Sequence, residues 1–241
     1  TFLSIASHEL KTPLTSLKLQ VQMRKRILET GHREYFTMDR ILKIASEDER
    51  QINRMNRLID EMLDVSRIHH GKLFLNIEEV NLYEIVKGCV DRFAPELYAA
   101  GCQVFINGNR NVLGSWDHYR LEQVFVNLLT NAMKFGHNRP IEIQIDKIDD
   151  TAKVSFIDHG QGINKKDLTR IFLPFEQSIE PGGSARGLGL GLYITKEIIV
   201  AHGGKIEVES NFGEGSIFNV VLPLNFKDKN RKIVKSSIEA A

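Results

Sequence analysis

Cysteine is scarce. Only Cys89 and Cys102 occur among 241 residues, neither in a Cys-x-x-Cys pair and neither beside histidines at metal-ligand spacing. A disulfide scaffold and a zinc module are therefore excluded, and a reducing compartment is the expected setting. An excess of one charge is missing too: 32 Lys and Arg face 31 Asp and Glu, a formal charge of +1. The basic footprint that drives non-specific nucleic-acid binding is absent, so no nucleic-acid partner is expected. The longest apolar run, Gly191 to Val200, is interrupted by Lys196 and Glu197. It falls short of the roughly 18 residues needed to cross a bilayer. No charged segment followed by an apolar core opens the sequence, so neither a membrane segment nor an export signal is expected in it. With 42% apolar residues the chain has enough material for a buried core.

Two textures divide it. From Leu3, the apolar residues Leu10, Leu14, Leu17, Val21 and Leu28 recur at helical spacing to about Glu29, where Thr30 and Gly31 supply a stop. A second stripe, Met38, Ile41, Ala45, Ile52, Met55, Ile59 and Met62, runs to a stop near Gly71. Two such helices form an antiparallel hairpin that cannot cover its own stripe, so pairing with a second copy into a four-helix bundle is expected. After Gly71 come short apolar or alternating runs that read as strands: Leu73 to Val80, Gln103 to Asn107, Ile141 to Lys147, Lys153 to Ile157, Lys205 to Glu209 and Ile217 to Leu222. Between them a helix capped by Asn81 is predicted to about Ala100, another capped by Asp117 to Phe135, and a third from Gly187 to His202. The fold class is α+β: the hairpin over 1–70, then an α/β sandwich with a mostly antiparallel sheet over 71–224. The Lys-rich stretch 225–241 reads as a solvated tail or linker.

Several patterns along this frame carry chemistry. His8 lies one position past the seam of Leu3, Ser7, Leu10 and Leu14 and should face solvent. An exposed imidazole is mostly neutral at pH 7 and nucleophilic through one nitrogen. Pro13 lies inside the same periodic helix and suggests a bend one turn after His8. Glu9 and Thr12 share that turn, so an imidazole, a carboxylate and a hydroxyl form one patch. In the Asp117 helix, Asn127 and Asn131 are four apart and Lys134 three further on, while Val124, Leu128 and Ala132 supply a packing face. Amide oxygens suit Mg²⁺ beside phosphates, and an ammonium suits the phosphates. Asp158, Gly160 and Gly162 follow a strand, where glycines admit a flat ligand and a carboxylate can accept from an exocyclic amine. Gly187, Gly189 and Gly191 precede a helix whose N-terminus attracts phosphate. This stretch is neither a P-loop, lacking Gly-Lys-Ser/Thr, nor a Rossmann fingerprint, since Ile194 stands at its third glycine. Residues 176–186, rich in Gly, Ser and Pro, read as a mobile loop. His69 and His70 read as a solvated pair, Phe172 and Phe175 as core anchors, and Trp116 as packing.

Each pattern alone has a bland reading, but their order does not. His8-Glu9-Leu10-Lys11-Thr12-Pro13, Asn127 to Phe135, Asp158-x-Gly160-x-Gly162, Phe172-Leu173-Pro174-Phe175 and Gly187-x-Gly189-x-Gly191 resemble, over residues 1–223, the H, N, G1, F and G2 boxes of the two-component sensor histidine kinases. The resemblance implies a dimerisation and phosphotransfer hairpin followed by a Bergerat-type ATP-binding sandwich, with the loop as ATP lid. It implies that His8 takes the γ-phosphoryl group of ATP, Glu9 aids proton transfer, Asn127 and Asn131 hold Mg²⁺, Lys134 meets phosphate and Asp158 reads the adenine amine. Phe135 and the glycines join the nucleotide-binding set. Further implications are a homodimer, a response-regulator receiver domain as partner and a cytoplasmic location, with membrane anchoring of a longer parent left open. The Glu9-x-x-Thr12 spacing resembles the family's phosphatase motif and implies removal of the regulator's phosphate. A non-enzymatic dimeric scaffold is the runner-up, disfavoured by the intact His8, Asn127, Asn131 and Asp158. A Bergerat ATPase of the chaperone or mismatch-repair type lacks a His-bearing hairpin and usually carries Glu where Asn127 stands.

Overall fold

The computed structural model describes residues 2–136, 138–176 and 188–225. The expected tail lies outside the described residues from 226 onward, and so do 177–187, which hold Gly187 and most of the expected lid. Backbone packing divides the chain into Thr1–Lys72 with Pro174–Gly191, and Leu73–Leu173 with the residues from Leu192 onward.

The first unit carries two long helices, α1 (Phe2–Glu29) and α2 (Met38–His69). Gly31 ends α1 in the left-handed conformation at φ +82°, which costs a glycine nothing. Thr37 caps α2 through its hydroxyl, which accepts from the Arg40 amide. The hairpin register is pinned by Arg24, whose two terminal nitrogens grip both carboxylate oxygens of Asp48 at 2.5 and 2.9 Å. That fork holds the Asp48 carboxyl below the usual range, as a bidentate charge-assisted pair should. Much of the apolar stripe stays uncovered in the single chain: Leu14, Leu28, Met38, Ile41, Ile52 and Ile59 are all exposed. Pro13 is accommodated inside a continuous α1 and is buried.

The second unit is a five-stranded sheet ordered β2 (Val104–Gly108), β4 (Ile141–Ile148), β5 (Thr151–Asp158), β7 (Gly215–Pro223), β6 (Lys205–Asn211). Only the β2–β4 pair is parallel; the other three ladders are antiparallel, as expected for the sheet at large. One face is apolar, with Ile141, Ile143 and Ile145 of β4 fully buried. Helix α5 (His118–Phe135) buries Leu121, Val124, Phe125, Leu128, Leu129 and Ala132, and Phe125 stacks on Phe156 of β5 with ring centroids 5.8 Å apart. The remaining elements are β1 (Glu78–Asn81), α3 (Leu82–Arg92), α4 (Ala94–Ala99), β3 (Leu113–Trp116) and α6 (Gly191–Ala201).

Three expectations are corrected. The helix expected from Asn81 to Ala100 is two, α3 and α4, parted at Phe93. Pro95 lies at the start of α4, where its missing amide costs nothing, whereas inside one continuous helix it would cost about 3 kcal/mol. The strand expected over Leu73 to Val80 is formed only at Glu78–Asn81, because its partner β3 is four residues long. That partner escapes sequence reading because Gly114 interrupts it. The glycine is required there, since a Cβ would stand 2.4 Å from the Trp116 ring. Trp116 is buried as expected, and its indole donates to the Pro223 carbonyl at 2.8 Å. The third helix begins at Gly191 rather than Gly187.

Candidate functional site

His8 is 79% exposed in its side chain, and its Nδ1 lies 3.5 Å from Glu9 Oε1. The expected patch is therefore real for this pair. The Thr12 hydroxyl donates to the His8 carbonyl at 3.1 Å. Such back-bonding is the alternative use of a threonine one residue before a helical proline.

In the second unit, Asp117 caps α5: Oδ1 accepts from the Arg120 amide at 3.0 Å and Oδ2 from the Asn76 amide at 2.7 Å. From that anchor the helix carries Asn127 and Asn131, both half-buried, and then Lys134, whose Nζ lies 4.6 Å from the centroid of the Phe135 ring. The far end of α5 is sewn to the loop after β5, because the Phe135 carbonyl accepts from the Gln161 amide at 3.2 Å. Gly160 passes the same carbonyl so closely that a Cβ there would stand 1.9 Å from it. Gly162, at φ +67°, is packed likewise against the Asn211 carbonyl, 2.0 Å from a Cβ. These two glycines were expected to admit a ligand. What they admit is the chain's own carbonyls, so their first duty is to join α5, β5 and the β6–β7 turn.

Asp158, at the end of β5, is only 6% exposed, and its Oδ1 accepts from the Gly160 amide at 2.9 Å. Burial pushes its carboxyl above the usual range, opposed by bonds from Gly160 and Ser216 and by His159. A desolvated carboxylate with further lone pairs is a strong acceptor for an amino group.

Two residues absent from the motif reading tie α6 to α5. The Asn127 Nδ2 donates to the Thr195 hydroxyl at 2.9 Å, and Thr195 is 1% exposed. His202, fully buried, accepts from the Asp117 amide at Nε2 (3.0 Å) and has Nδ1 2.8 Å from the Ile198 carbonyl. The two links run in opposite order along the helices, so α5 and α6 are antiparallel. The available signal was a buried helical stripe, Thr195, Ile198, Ile199 and His202, with a polar residue at each end.

His202 predicts a pH dependence. Burial lowers its pKa from 6.5, against the Ile198 bond and the Asp117 charge and with help from Arg120. The unfolded chain thus binds this proton first. The contribution of neutral His202 to stability is complete above the unfolded value of about 6.5 and is lost as pH falls toward the folded one. Protonation would also set an N–H of His202 against the Asp117 amide. The unfolding temperature is expected to fall between pH 7 and 5.5, with a shallower slope in His202→Gln; identical slopes by calorimetry would contradict the assignment.

Gly189 (φ +68°) and Gly191, the first residue of α6, belong to the first unit by backbone packing. The Gly189 carbonyl accepts from the Phe175 amide at 3.1 Å. Phe172 and Phe175 are half-buried, and His69 and His70 are exposed, as a solvated pair should be. Among the described residues no group of three or more His, Cys, Asp or Glu could hold a metal ion. A cation here would have to take amide oxygens and complete its shell with phosphate and water, which is the donor set hard Mg²⁺ accepts. No described helix is long and apolar enough to cross a membrane.

Comparison with known proteins finds two family domains in the chain. Residues 1–71 match the His Kinase A (phospho-acceptor) domain, and residues 116–225 match the histidine kinase-, DNA gyrase B- and HSP90-like ATPase domain. The chain is 32% identical over 247 residues to the non-motile and phage-resistance protein of Caulobacter vibrioides, covering 99% of this chain and 28% of that protein. It is 32% identical to the autoinducer 2 sensor kinase/phosphatase LuxQ of Vibrio cholerae, covering 95% of this chain and 26% of that one. The chain thus spans about a quarter of the length of these curated relatives. Among solved structures, the histidine kinase AdeS of Acinetobacter baumannii superimposes with a TM-score of 0.68 at 26% identity, over 90% of this chain and 98% of that one. The catalytic domain of the histidine kinase ThkA gives 0.56 at 27% identity, over 62% of this chain and 97% of that one. From the order of its motifs, the fold of both units and these matches, the chain belongs to the sensor histidine kinases and carries their catalytic core.

Proposed function

We propose that the chain is an ATP-dependent histidine autokinase that phosphorylates its own His8 and passes the phosphoryl group to an aspartate in the receiver domain of a response regulator. The observation that carries this reading is the exposed imidazole of His8 with its Nδ1 turned to the Glu9 carboxylate. That contact favours the tautomer with the proton on Nδ1 and leaves the lone pair on Nε2. Nε2 forms the bond to the γ-phosphorus of ATP while the bond from that phosphorus to the β–γ bridging oxygen breaks, and ADP leaves with the electron pair. Glu9 takes the Nδ1 proton as the ring becomes cationic. In the second unit Asp158 accepts from the adenine amine, Lys134 and Phe135 border the phosphates, and Asn127 and Asn131 hold Mg²⁺ through their amide oxygens. Bound Mg²⁺ neutralises phosphate charge, the main demand of phosphoryl transfer. Gly160 and Gly162 shape the site by closing the chain on itself, while Gly189 and Gly191 lead into the N-terminus of α6, which favours phosphate.

The uncovered stripe of the hairpin supports a homodimer built as a four-helix bundle, with residues 1–70 the dimerisation and phosphotransfer domain and 71–224 the ATP-binding domain. A reducing, cytoplasmic setting fits the two buried thiols, Cys89 and Cys102. The test is labelling in the presence of Mg²⁺ followed by addition of a receiver domain. ATP labelled at the γ position should mark the chain and then the receiver's aspartate, and ATP labelled at the α position should mark neither. Marking by both labels, or by neither, would overturn the reading.

The same hairpin is assigned the removal of that aspartyl phosphate, with Thr12 as the active hydroxyl. The relative from Vibrio cholerae is named a kinase/phosphatase. The Thr12 proton is engaged by the His8 carbonyl, so its oxygen would act by accepting from an attacking water. Thr12→Ala is expected to leave His8 labelling normal and slow the loss of regulator phosphate about 100-fold, the lower end of what a group positioned on the reacting water contributes. If labelling and phosphate loss fall together, Thr12 serves the helix before Pro13 alone.

A further inference from the structure

The geometry points to Thr195 as a positioning residue for Mg²⁺, acting through Asn127. The inference rests on the reading of Asn127 as an Mg²⁺ ligand and adds what orients it. A side-chain amide has two ends that differ in chemistry: the nitrogen repels a cation and the oxygen binds one. Free rotation about the last bond would present either end. In this fold the Asn127 Nδ2 donates to the Thr195 hydroxyl at 2.9 Å. Oxygen and nitrogen lie on opposite edges of the amide plane, so anchoring the nitrogen commits Oδ1 to the other edge.

Thr195 is suited to this duty. It is 1% exposed, so water does not compete for its hydroxyl, and its neighbours on the buried side of α6, Ile194, Ile198 and Ile199, are apolar. Its branched Cβ also narrows χ1 in the helix to two main rotamers, one of which presents the hydroxyl to Asn127. The His202 bond to the Asp117 amide sets the same pair of helices ten residues earlier on α5, which keeps Thr195 in register with Asn127. Partners that orient a metal ligand from behind typically change metal affinity by about 10- to 100-fold when removed.

The test is calorimetric titration of ATP into the full chain, carrying His8→Gln to prevent turnover, in EDTA and across a series of MgCl₂ concentrations. Thr195→Val keeps the shape and removes the hydroxyl. It should raise the Mg²⁺ concentration needed for half of the metal-dependent gain in affinity about tenfold, leave affinity in EDTA unchanged, and be rescued by Thr195→Ser. An unshifted Mg²⁺ midpoint, or an equal loss with and without metal, would overturn the inference. Asn127→Ala separates the two layers: if it leaves the Mg²⁺ response intact, the metal-ligand reading fails, whereas an effect of Asn127→Ala without one of Thr195→Val refutes the positioning alone. Hydrogen exchange of the Asn127 side-chain amide, followed by NMR in the chain with Thr195 intact, remains decisive should the valine variant fail to fold. Protection relative to exposed asparagines is expected, and exchange as fast as theirs would refute the inference.

Discussion

His8→Gln should carry no label from γ-labelled ATP while binding ATP as tightly as the unsubstituted chain. The loss is complete because the amide nitrogen of glutamine shares its lone pair with the carbonyl and is not a nucleophile, so no slower version of the same bond formation remains. Binding survives because the proposed nucleotide residues Asn127, Asn131, Lys134 and Asp158 belong to the second unit, while His8 belongs to the first. Stability should also hold, since a side chain 79% exposed gives up little packing when replaced. Labelling at the normal rate would place the acceptor elsewhere in the chain, and a parallel loss of ATP affinity would show that the substitution acts on folding rather than on chemistry.

Asp158→Asn should separate stability from recognition. Its Oδ1 bond from the Gly160 amide can be kept by the asparagine oxygen. Adenine fares differently, because the amide nitrogen presents donors where the carboxylate offered acceptors. A hydrogen bond to a charged group contributes about 1.5 to 3 kcal/mol, so ATP affinity should fall roughly 10- to 150-fold. For stability the sign is opposite. Burial raises the folded pKa of Asp158 above its ordinary 3.8, so the folded chain holds this proton where the unfolded chain has lost it. Ionisation therefore withdraws stability as pH rises from about 3.8 through the folded value, and the charged group at pH 7 is a cost that the neutral amide lacks. The variant should unfold at the same temperature as the parent or higher at pH 7, yet bind ATP weakly. Unchanged affinity would remove Asp158 from the site, and lower stability would mean that the carboxylate's bonds outweigh its desolvation.

The two long helices were legible from apolar spacing because helix periodicity is a local property, and the stops at Gly31 and Gly71 have backbone angles that glycine favours. The Asp117 cap and the helix to Phe135 were legible for the same reason. The break at Phe93 was written in Pro95, but the Asn81 cap that announced the helix says nothing of where it ends. β3 could not be read, since four residues with Gly114 among them carry no periodicity and the strand exists only through its partner β1. For the proposed site, residue types pointed to a flat amine-bearing ligand, to phosphate and to Mg²⁺, and ATP followed from the resemblance carried by the order of the motifs. The links that hold them, Thr195 to Asn127 and His202 to the Asp117 amide, join residues 68 and 85 positions apart and have no local signature. Gly160 and Gly162 were recognisable as special, but the reason was not: a close approach to Phe135 and Asn211 is a property of the packed chain.

In the proposed reaction the γ-phosphoryl group of ATP becomes bonded to an imidazole nitrogen of His8. A phosphoramidate differs from a phosphate ester in its chemical stability, because protonation of the ring nitrogen turns it into a good leaving group. The most direct measurement is to label the chain with γ-labelled ATP and Mg²⁺, divide the product between acid and alkali, and map the retained label to a peptide. The label should be lost in acid, kept in alkali and located on the peptide containing His8. A label that survives acid, or one that maps to any other residue, would contradict it.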